Sequence, residues 1–374
     1  MNFIPTFMPD ELLSQLALPL VPNIGCVQAK TLIAHLGSAS AVFKAKKSLL
    51  EKIEGIGEIR AKSISGFQDF YKAEEELLFI KKYKIELLFL TDKNYPQRLL
   101  NCYDPPTMLF YKGNADLNAS KIIAIVGTRN NSDYGKQATE KLVKELATEN
   151  ILIISGVAFG IDAIAHKAAL KNNLKTIGVL AHGLDTIYPS EHASLAKNMV
   201  NNGGLLTEFA SSTKPDKHNF PIRNRIVAGM SDAIIVVETG TKGGSIITAE
   251  LANGYNKDVF AFPGKNTDMK SAGCNQLIKN NQAILLTDSR QLIEAMGWEE
   301  KQKPKTRKQK ELFIELSTDE KVIVDLLKEK DAIHIDELNH KSNLSSSAVA
   351  AAILNLELQN IVCSLPGKMY SFNP

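Results

Sequence analysis

Cysteine is scarce in this chain: Cys26, Cys102, Cys274 and Cys363 are the only ones among 374 residues, and no two stand in C-x-x-C spacing. Neither a disulfide framework nor a thiolate zinc site is indicated, and free thiols are expected. Long apolar runs are missing as well. None approaches the roughly 18 residues of a spanning helix, and the opening MNFIPTFMPDELLSQ carries no basic stretch ahead of an apolar core, so a cytoplasmic protein is expected. A dominant charge is also lacking, since 44 Lys and Arg against 41 Asp and Glu leave a formal +3. That balance alone calls for no polyanionic partner, which only the placing of the basic residues could reveal. Two nucleotide signatures are absent too. No G-x-G-x-x-G opens a first βα turn with an acid about 20 residues further on, which argues against nicotinamide binding. No G-x-x-x-x-G-K-[ST] supports a P-loop ATPase. With 44% hydrophobic and 23% charged residues the composition is that of a globular chain, long enough for two or three domains.

What is present is a set of strand-to-loop junctions that stop on glycine. In KIIAIVGTRNNSDYG (121–135) and ILIISGVAFGIDAIAH (151–166) an apolar run of strand length ends at Gly127 or Gly156 and opens into a polar loop ahead of a helix. Glycine lets the backbone approach a ligand closely, the unpaired N–H groups of a helix start favour an anion, and Arg129 can add a planar phosphate clamp. HNFPIRNRIVAGMSDAIIVVE (218–238) sets Arg223, Asn224 and Arg225 behind a proline. Two guanidiniums around an amide suit a phosphate backbone, and pairing with Glu208 or Asp232 is the structural alternative. ETGTKGGSIITAELA (238–252) places Gly243, Gly244 and Ser245 at another helix start, and FPGKNTDMKSAGCNQLIKN (262–280) adds Gly264, Lys265 and Asn275. Whether such phosphates belong to a nucleotide or to a nucleic-acid strand stays open at this point.

Three patterned parts follow one another. Residues 1–80 read as short helices with an internal echo: Gly25 is followed by Ala29 and Leu32, and Gly57 by Ala61 and Ile64. Both resemble helix-hairpin-helix units, whose glycine turn offers backbone N–H groups to phosphate while the alanine lets two helices pack closely. A purely structural turn is the other reading. From 83 to 298, apolar runs at 85–90, 122–126, 151–155, 176–181, 204–209, 233–238, 259–262 and 283–286 alternate with helical spacing. That rhythm predicts an α/β domain with a doubly wound parallel sheet, whose ligands bind outside the carboxyl ends of the strands. KQKPKTRKQK (301–310) has six basic residues and no acidic one, and 299–312 is expected to be a solvated basic linker. Residues 313–374 read as a small helical domain ending in a hairpin, with Ser317 and Glu320 spaced as a capping box.

The ordered series VGTR, YG, SGVAFGIDAIAH, TIGVLAHGLDTIYPSEH, FPIRNRIVAG, GGSIITAELA, FPG and GCNQLI, covering nearly all of 90–290, resembles the DNA-processing protein A (DprA/Smf) family. The resemblance implies an extended Rossmann-like domain that binds single-stranded DNA without sequence preference, dimerises, and helps load the RecA recombinase onto incoming DNA in natural transformation. Carried over by position, Gly127, Thr128 and Arg129 match the family's G-[ST]-R loop. Ser155, Gly156, Gly160 and Asp162 match its S-G-x-A-x-G-I-D segment, and Lys175 falls at a commonly basic position. Arg223, Asn224 and Arg225 match F-P-x-R-N-R, while Gly244, Ser245 and Thr248 match S-G-S-x-x-T. Phe159, Ile222 and the pair Lys242-Gly243 depart from the pattern and leave fewer guanidiniums. Phe159 could offer a stacking face, worth roughly 1–3 kcal/mol per base, or pack inside. The C-terminal part resembles the winged-helix domain of many DprA proteins. Its presumed recognition helix, opening at Ser345, Ser346 and Ser347, has no arginine or lysine, so base readout is not expected and protein contact is preferred.

Neither a cofactor nor a metal nor a catalytic residue is expected. Asp162 and His166, four apart on a helix, and the nearby His182 read as dipole-facing and packing residues rather than as an acid/base set. A nucleoside-monophosphate phosphoribohydrolase on the same fold is the enzymatic alternative, but GGSIIT with Glu250 does not fit its G-G-x-G-T spacing. An adaptor acting only through protein contacts is the third class.

Overall fold

Apolar residues at helical spacing gather the start of the chain into six short helices, α1 (Glu11–Ala17), α2 (Cys26–Leu36), α3 (Ala39–Lys44), α4 (Lys47–Leu50), α5 (Gly57–Ser65) and α6 (Tyr71–Tyr83). Gly25 caps α2 and Gly57 opens α5, and the residues picked out behind them, Ala29, Leu32, Ala61 and Ile64, are all buried. Arg60 ties the two turns together by donating to the carbonyls of Asn23 and Gly55 at 3.1 and 3.0 Å. The computed structural model describes residues 10–299, 316–359, 361–365 and 367–373.

The strand-rich part runs β1 (Glu86–Phe89), α7 (Gln97–Leu100), β2 (Met108–Gly113), β3 (Ile122–Val126), α8 (Asp133–Glu145), β4 (Leu152–Gly156), α9 (Ile161–Lys171), β5 (Thr176–Val179), α10 (Ala193–Asn201) and β6 (Gly203–Thr207). It continues through α11 (Asn219–Met230), β7 (Ala233–Val236), α12 (Gly244–Gly254), β8 (Asp258–Ala261), α13 (Ala272–Lys279), β9 (Ile284–Leu285) and α14 (Ser289–Ala295). The sheet order is β1-β2-β6-β5-β4-β3-β7-β8-β9. From β6 to β9 every neighbour is parallel, as the βα rhythm predicts. The edge differs from expectation. β2, absent from the strands that the apolar runs predict, slots between β1 and β6 and runs antiparallel to both. Antiparallel neighbours need no crossover helix, so nothing in the periodicity announces that strand.

Burial on both faces explains why the central strands are continuously apolar. Ile122, Ala124 and Val126 face one core, which α11, α12 and the N-terminal helices share, whereas Ile123 and Ile125 face a second core built with α8, α9 and α14. Residues Met1–Trp298 thus form one compact unit. After β3 the chain steps outward to β4, β5 and β6, then returns across β3 to β7. Loops leaving β3 and β7 therefore diverge and open a crevice at the carboxyl ends.

A second unit lies within Glu299–Pro374. It comprises α15 (Thr318–Leu327), β10 (Ile333–His334), α16 (Ile335–Lys341), α17 (Ser346–Leu358), β11 (Val362–Leu365) and β12 (Met369–Phe372), with a sheet ordered β10-β12-β11. The capping box forms as spaced: Ser317 Oγ accepts the Glu320 N–H at 3.3 Å and a Glu320 oxygen accepts the Ser317 N–H at 2.8 Å. The basic run 301–310 falls outside the described residues. No helix among those described is long and apolar enough to cross a membrane.

Candidate nucleic-acid interface

The crevice at the β3/β7 divergence holds about 520 Å³ and is lined by Gly127, Thr128, Arg129, Gly156, Arg223, Asn224, Gly243, Gly244 and Ser245. These residues, all singled out in the sequence, meet in one place although they come from separate loops and helices. Gly156 is required by proximity: a Cβ there would collide with the Arg223 guanidinium and the Asp162 carboxylate. Gly160 is required by conformation, with φ +77° and its Cα pressed against the Thr128 carbonyl. It locks the loop after β4 onto the loop after β3, and Ile161 donates its N–H to Thr128 at 3.2 Å.

The helix starts do not offer the same thing. At α8 the expected phosphate seat is already taken from inside. Glu238, fully buried at the end of the β7 run, accepts the Ser132 N–H at 2.8 Å and the Ser132 hydroxyl at 2.6 Å, and its carbonyl takes the Thr128 N–H at 2.7 Å. An anion at a helix N-terminus satisfies the dipole whether it is a ligand or a side chain. At α9 the first turn carries Asp162, which lies buried, accepts the Ala158 N–H and faces Arg223. Burial raises its carboxyl above the ordinary range, against the pull of Arg223. Only α12 is open. No side chain caps it, its first N–H groups have no intrahelical partner, and Ser245, 6% exposed, has a buried hydroxyl with no hydrogen-bond partner.

Cations surround that opening. Arg129 is exposed, its guanidinium 5.1 Å from the Phe220 ring centroid. Lys217, exposed, joins it from the approach to α11. Arg223 is buried, donating to the Val179 carbonyl and, at 3.0 Å, to Asn224, whose amide reaches the Gly244 carbonyl at 3.4 Å. Beside the crevice, Phe159 and Tyr188 flank a small hollow that Arg129 and Arg223 also line. The packed-inside reading of Phe159 is not met, since the residue is 45% exposed and rests one edge on His192.

Three predicted residues fall elsewhere. Arg225 points away from the crevice into a buried ion pair with Glu208 and a bond to the Asp104 carbonyl, the structural alternative among the readings of F-P-x-R-N-R. Asp232, the other candidate partner, is taken by Arg98 at 2.5 Å. Lys175 lies just before β5, at the amino ends of the parallel strands, and donates to the Asn114 carbonyl at 2.7 Å. The sequence cannot tell which end of a strand a flanking lysine decorates until strand direction is fixed. Ser155 is buried beneath the crevice and donates to the Ile125 carbonyl at 2.6 Å. Asn275 bonds both the N–H and the carbonyl of Gly264, closing its own loop.

Sequence reading passed over Lys217, Phe220 and Glu238. The first two stand in KHNFPIRNR, where a basic and an aromatic residue immediately precede the arginines and could have been included. The histidines are structural. His166 lies fully buried between the Gly156 carbonyl and the Thr176 hydroxyl, both at 2.6 Å, and burial lowers it to about 4. No cluster of three or more His, Cys, Asp or Glu able to hold a metal occurs among the described residues.

Comparison with known proteins follows the same residues. The family described as "DNA recombination-mediator protein A" matches residues 86–297, and the "DprA winged helix domain" matches 304–368. The chain is 35% identical over 286 residues to Protein Smf of Synechocystis sp., spanning 75% of this chain and 72% of that one. It is 42% identical over 214 residues to the DNA processing protein DprA of Bacillus subtilis, spanning 57% and 72%. Among solved structures, DprA from Streptococcus pneumoniae superposes with a TM-score of 0.57 at 33% identity, over 72% of this chain and 98% of that one. DNA processing protein A from Helicobacter pylori, described for its single-stranded DNA binding mode, gives 0.53 at 32% identity, over 57% and 96%.

Proposed function

Since this chain belongs to the DNA recombination-mediator protein A (DprA/Smf) family, we propose that its crevice binds the backbone of single-stranded DNA without sequence preference. The observation that carries the reading is Ser245: a buried hydroxyl without a partner, at an uncapped helix start, in a cleft that Arg129 and Lys217 edge with positive charge. Such a seat takes an anion, and its donors address phosphate rather than base edges. One phosphate rests on Gly243, Gly244 and Ser245. Arg129, with Thr128 and Gly127 behind it, holds the next, and Phe159 offers an open ring for a base. The remaining carboxylate, Asp162, is engaged by Arg223, so the site works as a binding surface rather than as an acid/base centre.

On this reading the protein is a homodimer that coats incoming strands and loads RecA onto them. Doubling the track raises avidity without new contacts. The recombinase step rests on family membership alone. The winged-helix unit serves protein contact in the same scheme, its helix α17 having no arginine or lysine.

The test is binding of fluorescent oligothymidylate across a salt series, with matched duplex as competitor, for the wild type and Arg129→Ala. Single-strand preference lost in the variant supports the reading. Equal, weak binding by both proteins refutes it and returns attention to the phosphoribohydrolase class, checked by base release from nucleoside monophosphates.

A further inference from the structure

Two side chains of the N-terminal helices reach the supports of α11. Glu76, in α6, is 7% exposed, and both of its oxygens accept the backbone N–H of Ser211, at 3.1 and 2.9 Å. Its Oε2 also accepts the Ser211 hydroxyl at 2.6 Å. All three bonds go to one residue and none to a cation. Ser211 belongs to the connection from β6 to α11. The residues after it are fixed in turn, Ser212 with φ 65° and Thr213 through its carbonyl, which accepts the Gly183 N–H at 3.1 Å. A few residues on, the same connection delivers Lys217 and Phe220 to the crevice. From the other side Lys30, in α2, donates to the carbonyls of Leu100 and Cys102 at 2.8 and 3.0 Å, next to Asp104, whose carbonyl accepts from Arg225. The approach to α11 is thus held by α6, and its far face by a segment that α2 anchors.

A carboxylate buried without a cation is destabilising in water-free surroundings. Its hydrogen bonds all converge on the place where one loop turns. We infer that Glu76 is a positioning residue for the crevice. Through Ser211 the N-terminal helices set where Lys217, Phe220 and Arg223 stand, and so set how tightly the crevice holds a phosphate strand. The inference deepens the reading of the crevice as a single-strand site and rests on it. It also gives the helical layer a definite role, because any displacement of α6 slackens the crevice from behind.

The experiment compares full-length wild type, Glu76→Ala, Glu76→Gln, Ser211→Ala and Arg129→Ala. Two readouts are taken, oligothymidylate affinity across a salt series and amide hydrogen exchange over 210–219. Glu76→Ala is expected to bind roughly five- to tenfold more weakly, the size of a modest coupling between sites. The slope of log K against log salt should flatten by about 0.7, the loss of one phosphate contact, and exchange over 210–219 should rise. Glu76→Gln, which keeps an acceptor for the Ser211 N–H, should recover most of the affinity; a purely structural effect would show no change of slope. If Glu76→Ala fails to fold, Ser211→Ala, which leaves the N–H in place, carries the test with a smaller loss in the same direction. Wild-type affinity and slope in Glu76→Ala and Ser211→Ala, despite faster exchange over 210–219, would overturn the inference. Arg129→Ala separates the two ideas. If it binds like the wild type, the single-strand reading is what fails, and exchange over 210–219 still reports whether Glu76 holds the loop.

Discussion

Arg223 and Arg225 stand two residues apart on α11 and serve opposite sides of it. Arg223 lines the crevice beneath Gly156, while Arg225 is buried against Glu208 and the Asp104 carbonyl on the far side. The family's F-P-x-R-N-R motif is therefore two devices in one turn of helix: a lining for the ligand and a strut for the helix that carries it.

The strut gives a stability prediction. Arg225→Ala leaves Glu208 buried without its cation, and losing one partner of a buried pair costs about 3–5 kcal/mol. Chemical denaturation should show that loss, while the folded fraction of Arg225→Ala keeps its salt slope for oligothymidylate. A changed slope with undiminished stability would mean that Arg225 faces the ligand after all.

Ser245 gives the opposite pattern. A buried hydroxyl without a partner is desolvated without compensation, so Ser245→Ala should leave stability unchanged or slightly improved. The same variant should bind oligothymidylate more weakly by about 0.5–1.5 kcal/mol, one hydrogen bond's worth. Stability measured by thermal melting and affinity measured by anisotropy must move in different directions, or not together. A destabilised variant with normal affinity would remove Ser245 from the site.

Two lysines separate the ends of the sheet. Lys217 is on the crevice and Lys175 at the amino ends of the strands. Lys217→Ala should flatten the salt dependence by about 0.7 of a log unit per log unit of salt, as for one single-strand phosphate contact. Lys175→Ala should leave both affinity and slope as they are. The reverse outcome would put the strand at the end of the sheet opposite the crevice.

These assignments show what could be read in the sequence. The central strands, their parallel order and the loops that gather at their ends were legible because alternation and glycine turns are local signals. The winged-helix capping box was legible for the same reason, Ser317 and Glu320 being three apart. Arg225, Lys175 and the occupied start of α8 were not. Each depends on a partner distant in sequence, Glu208, Asn114 or Glu238, and local pattern carries no information about which side of a helix or which end of a strand a cation will face. β2 was missed because an antiparallel insertion at a sheet edge leaves no crossover to mark it.

Glu208 makes the strut sensitive to pH. Burial pushes its carboxyl up to about 7, Arg225 pulling the other way, and its Oε1 has no hydrogen-bond partner. In the unfolded chain the same group titrates near the ordinary glutamate value of about 4.3. Between those values the folded protein holds a proton that the unfolded chain has released, so stability falls as pH rises and levels off above about 7. His166 has the opposite sign. Burial lowers it to about 4, so stability falls as pH drops below its unfolded value of about 6.5. The two effects offset each other between roughly pH 5 and 6, where each state differs by one proton in opposite senses. From about pH 6.5 upward His166 is neutral in both states and only the loss from Glu208 remains. Unfolding free energy should therefore decline from about pH 6.5 to 8 in the wild type. In Glu208→Gln, which keeps an acceptor for Arg225 and cannot titrate, the decline should shrink. Because all other groups are common to both proteins, the difference between their two pH curves isolates Glu208. Parallel curves would show that its carboxyl is already ionised at about pH 6.5 and that Arg225 outweighs burial.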